Sequence, residues 1–131
     1  MIKLKVMGPV VAQHRPRITT AGKFPRTYPV KADVYYREKL YWEAKRLKMK
    51  PIPRTVPLRV IIRVYILRPK SISATKRFFP TVKPDIDNYE KMIFDGLNGL
   101  IWEDDAQIVS VDSWKNYSDD ASWLTVEVYE I

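Results

Sequence analysis

Apolar and basic residues alternate along Ile2–Met7, "IKLKVM", and that period of two predicts a strand. Residues 8–29 lose the alternation and collect Gly, Pro and Thr, so they read as a long connection with room for a hairpin. A helical period follows over 31–48: Val34, Tyr41, Ala44 and Leu47 form a stripe, Leu40 widens it, and Asp33 stands where a cap belongs. Pro51, Pro53 and Pro57 stop that helix. Residues 58–67, "LRVIIRVYIL", are dense in β-branched side chains and predict a strand. A second basic loop spans 68–84. Residues 87–101 predict another helix, with Tyr89, Ile93, Leu97 and Leu100 as its apolar stripe. There Asp87 serves as N-cap, Glu90 completes a capping box, and Gly96 and Gly99 mark the end. Residues 107–117 and 121–130 predict two strands paired antiparallel about a turn at 118–120.

The order β, loop, α, β, loop, α, β, β predicts an α+β fold, a mixed sheet with two main helices packed on it. At 131 residues the chain is expected to be a single domain over 1–131. No apolar run approaches the ~18 residues of a spanning helix. Cysteine is absent, which excludes disulfides and thiolate metal sites.

Charge changes the picture. Residues 1–84 carry 21 Lys/Arg against 3 Asp/Glu, whereas residues 85–131 carry 2 against 12. A basic body suits a phosphate backbone, because neutralising phosphates releases counterions. An acidic segment beside it would repel that backbone unless a divalent cation stood between them. The bland alternative is that the two halves simply pair.

The acidic segment is patterned. Asp85 and Asp87 flank Ile86 on an extended lead-in, so their carboxylates should share one side while Ile86 turns to the core. Lys91 stands four residues after Asp87 and can reach the same site. Asp104 or Asp105 joins them only if the chain turns back after the helix. Oxygen ligands without Cys, and with one remote His, suit Mg²⁺ or Mn²⁺ rather than Zn²⁺. The alternative is that the DxD is only a cap and the tandem Asp104–Asp105 only a loop.

The stretch "KPDIDNYEKMIFDGLNGLIWEDDAQIV", residues 83–109, resembles the signature of the RusA-type Holliday-junction resolvases, a family of bacterial and phage endonucleases. The matching positions are Asp85, Asp87, Asn88, Lys91, Asp95, Asn98, Gly99, Asp104, Asp105 and Gln107. The opening "GPVVAQHRPRITTAGK" is similar to the family's through Gly8, Pro9, Arg15, Pro16, Arg17 and Gly22. Gly96 departs from the usual Ala, and residues 24–80 match only in character. The resemblance implies a cytoplasmic homodimer, bacterial or phage-encoded, that binds four-way DNA junctions. It would cut two opposed strands symmetrically with Mg²⁺, for which Mn²⁺ can substitute. Asp85, Asp87 and Asp105 map onto the catalytic carboxylates and Lys91 onto the catalytic lysine, with Asp104 a further metal-ligand candidate.

For DNA contact the basic loops offer Arg15, Arg17, Lys23, Lys76, Arg77 and Lys83, against the alternative of solvated surface charge. Phe78 and Phe79 fit either a wedge at the junction centre or a core anchor. Trp114 and Trp123 fit core positions better than a dimer surface. Asp95, two turns from Asp87, is expected to play a structural role through a hydrogen bond or ion pair, and His14 to be a loop residue, with DNA contact as the alternative. Two rival functions stay open: a metal-dependent nuclease on other branched DNA, and a non-catalytic basic DNA-binding protein.

Overall fold

The alternating N-terminal segment forms strand β1 (Ile2–Met7), buried at Leu4 and Val6 and exposed between. The computed structural model describes residues 1–22, 24–72 and 78–131. The DNA-contact candidates Lys23, Lys76 and Arg77 lie outside that range. Strands β2 (Arg17–Thr19) and β3 (Arg26–Tyr28) form the hairpin within the first loop. Helix α1 spans Lys31–Arg46, strand β4 Leu58–Leu67 and helix α2 Ile86–Leu97. A 3-10 turn at Asp105–Gln107 leads into β5 (Ile108–Ser118), and β6 (Trp123–Glu130) closes the chain.

The main sheet has the order β1-β6-β4-β5. β5 runs parallel to β4, while β6 is antiparallel to both β4 and β1. The fold is therefore the expected α+β domain with a mixed sheet and two helices. The expected pairing of the last two strands is corrected, because β4 lies between them. The cause is in β4 itself. Val60, Ile61, Ile62 and Val64 are all buried, and a strand apolar on both faces belongs inside a sheet. A parallel neighbour then needs a crossover, and α2 supplies it.

Both helices cover one face of the sheet. Leu4, Val6, Val60, Ile62, Val64, Leu124 and Val126 meet Tyr36 and Leu40 of α1 and Met92, Ile93 and Leu97 of α2 in one core. The other face is wetter: Trp123 stacks on Tyr65 at 4.2 Å, and Arg63 bonds Glu127 at 2.6 Å.

Several local expectations are revised. The buried side of α1 is Asp33, Tyr36, Leu40 and Ala44, while Val34 and Tyr41 are exposed. Asp33 is no cap; Val30 holds that position. At α2 the N-cap is Asp85, Asp87 sits in the first turn, and Glu90 accepts from Ser113 Oγ at 2.7 Å instead of closing a capping box. Ile86 points to solvent rather than the core. Trp114, expected in the core, is exposed, as are Phe78 and Phe79.

Candidate active site

The cleft is built where the lead-in to α2 meets the first loop. Lys115 on β5 donates from Nζ to the carbonyls of Val82 and Pro84, each at 2.8 Å, and so fixes the segment before Asp85. The chain enters α2 with Asp85 still extended at the cap. Opposite, the Gln13 N–H donates to the Asn88 carbonyl at 3.0 Å and ties the first loop to the first turn of α2. His14, Arg15, Lys83, Asp85, Asp87 and Lys91 line the resulting open cleft of about 590 Å³.

Charge inside it is balanced locally. Lys83 Nζ lies 2.9 Å from Asp85, and Lys91 Nζ lies 3.7 Å from Asp87. Asp85 and Asp87 share the cleft for a reason other than strand alternation. Asp85 occupies the N-cap position without a side-chain cap bond and Asp87 stands in the first turn, so both sit at the same helix end and line the cleft. An anion or a hard cation could exchange into such a set with little desolvation cost, because both carboxylates are half exposed.

Asp104 and Asp105 lie at the other end of α2. The Asp105 N–H donates to Asn98 Oδ1 at 3.0 Å. Asp104 caps the 3-10 turn by accepting from the Ala106 N–H, and its own N–H donates to Gln107 Oε1. Buried Gln107 anchors the turn by donating from Nε2 to the carbonyls of Pro53 and Val56, both at 2.9 Å. Partial burial, then the neighbouring Asp104 and Asp95, push the Asp105 carboxyl above its usual range. Asp95 makes the expected ion pair, with Arg37 at 3.6 Å. The twelve residues of α2 rise about 18 Å, so the two carboxylate groups of one chain stand well apart. Among the described residues no three His, Cys, Asp or Glu converge on one point.

Of the basic candidates, Arg15 and Lys83 line the cleft, while Arg17 is exposed on β2. Neither Lys115 nor Asp33 is marked as a site residue by the sequence, where Asp33 reads only as a helix cap. Lys115 left a trace there: it is one of the two cationic residues after position 84. The contact between Asp33 and His14 spans 19 positions and left none.

A mixed α+β domain with a polar cleft that sets paired carboxylates among lysines and an arginine presents the groups that a phosphodiester and a hard cation require. The chain belongs to the endodeoxyribonuclease RusA family, whose family model matches residues 7–129. A relative from Bacillus subtilis (strain 168), "Uncharacterized protein YqaN", is 36% identical over 129 residues, covering 91% of this chain and 89% of its own. Membership implies an endonuclease that resolves Holliday junctions, and nucleases of this type generally depend on a divalent metal. Among the described residues no helix is long and apolar enough to cross a membrane.

Proposed function

We propose that this protein resolves four-way DNA junctions by paired, symmetric, Mg²⁺-dependent hydrolysis of phosphodiesters, as a homodimer. The observation that carries the reading is the cleft that sets Asp85 and Asp87 among Lys83, Lys91 and Arg15 in a family of endodeoxyribonucleases.

The donor set fits the metal. Mg²⁺ takes one or two carboxylates and fills its remaining positions with water and substrate phosphate. Asp85 and Asp87 are two such donors, accessible and paired only with displaceable lysines. When bound there, the ion would lower the pKa of a water and neutralise phosphate charge. Lys91, released from Asp87, would turn to the charge that builds on the phosphate oxygens. Arg15 and Lys83 would hold the flanking phosphates and orient the strand.

Asp105 is the third catalytic carboxylate of the proposal, and it comes from the second copy, with Asp104 beside it. Two features support this. Within one chain Asp85 and Asp105 lie at opposite ends of α2, which rises about 18 Å. β5 is an edge strand of the main sheet, with Val109, Val111 and Trp114 exposed along it. A two-fold partner laid antiparallel along this edge brings its Asp105 end toward Trp114 and Lys115, beside which Asp85 sits. Symmetry then gives two sites per dimer, matching the two opposed incisions.

The test is a labelled mobile four-way junction incubated with the protein, with and without Mg²⁺, beside linear duplex. Two symmetric nicks only with metal and only in the junction are expected. Asp87→Asn should abolish cutting and leave junction binding intact. Near-parental cutting by that variant would remove the carboxylates from the chemistry.

A further inference from the structure

We propose that His14 is a catalytic residue, the general acid that protonates the departing 3′ oxygen. This rests on the nuclease reading and adds a group to the same cleft. Asp33 is 4% exposed, yet no Lys or Arg pairs with it among the described residues. Both of its oxygens go to His14 instead. Oδ2 accepts the His14 backbone N–H at 2.7 Å, and Oδ1 lies 2.7 Å from Nδ1. A buried carboxylate needs hydrogen-bond partners, and the His14 backbone and ring supply both. An ionised carboxylate only accepts, so Nδ1 carries a proton. Nε2 is left as the ring's remaining polar atom, on a half-exposed side chain that lines the cleft with Asp85, Asp87 and Lys91.

The dyad resembles the arrangement in which a buried acid fixes an imidazole's tautomer and orientation for proton transfer. Hydroxide adds to phosphorus and the P–O3′ bond breaks. Its electron pair goes to the 3′ oxygen, which takes the Nε2 proton. The neutral imidazole regains a proton from solvent. Asp33 from α1 contacts the ring, and Arg15 from the same loop and Lys83, Asp85, Asp87 and Lys91 from the α2 end are the charged groups that line the cleft with it.

A purely structural pin of the first loop to α1 is the competing role, and His14→Asn separates the two. The asparagine amide can still donate to Asp33 but has no group at Nε2. The assay is single-turnover cleavage, with Mg²⁺, of a four-way junction and of the same junction with sulfur replacing the bridging 3′ oxygen. A sulfur leaving group needs no protonation. His14→Asn should cut the oxygen junction about 100-fold more slowly with unchanged junction affinity, and the sulfur junction within roughly 3-fold of the parent. Equal defects on both junctions, or no defect on the oxygen junction, would overturn the proposal. The unmodified protein gives an arm that does not depend on the variant folding. Its solvent deuterium isotope effect should be larger on the oxygen junction than on the sulfur junction, and equal effects overturn the proposal. If the parent cuts no junction at all, the nuclease reading fails instead.

Discussion

Asp105 is the residue where chemistry and stability pull in opposite directions. Its carboxyl is pushed up by partial burial, Asp104 and Asp95, so the fold favours the protonated form. The resulting cost is fully present above the raised folded pKa and disappears as pH falls below the unfolded value. Asp105→Asn should therefore raise the stability of the metal-free protein at pH 7, by on the order of 0.5 kcal/mol given solvent screening. Urea unfolding at pH 7 and pH 3 checks this: the gain appears at the first and vanishes at the second. The same substitution should abolish junction cutting. At this scale the sequence was half informative. Asp85, Asp87 and Lys91 were legible from spacing, although the shared side comes from a helix end and not from strand alternation. Asp33 read as a helix cap because Asp near a helix start usually is one. Nothing local announces that its partner is His14.

Elements decide whether those residues meet. Lys115 holds the lead-in through two carbonyls, and losing both charge-assisted bonds removes about 1.5–3 kcal/mol each from that local anchoring. Lys115→Met should lower the cleavage rate at least about tenfold while the far-UV spectrum stays parental. Gly96 is a second such point. An added Cβ would come within 2.6 Å of Leu40 Cδ1, and Leu40 is fully buried between the helices. Gly96→Ala should thus destabilise the fold, although Ala in an open helix would gain about 1 kcal/mol. A thermal melt reads the sign directly, and a raised midpoint would mean the helices can separate freely. The long strands and both helices were legible, because periodicity and β-branching report local structure. Their neighbours were not. Patterning marked the last two strands but could not say that β4 lies between them, since that follows from β4 needing cover on both faces.

The whole molecule separates its charge along the chain, with 21 of its 23 Lys and Arg at or before residue 84, and on the proposed function these supply most of the phosphate contacts. Junction affinity should fall steeply with salt, by about 10³-fold between 50 and 200 mM for six or more phosphate contacts, in a filter-binding titration. A shallow slope would mean that the basic residues are mainly solvated or paired within the protein. The central claim is that one catalytic set draws its carboxylates from opposite ends of α2 in two copies. Mixing separately inactive Asp87→Asn and Asp105→Asn proteins, with subunit exchange, tests it most directly. In each mixed dimer one site would carry both substitutions and the other neither. About a quarter of all sites should therefore recover nicking of a labelled four-way junction. A mixture that stays as inactive as its components, with exchange verified, would contradict the account.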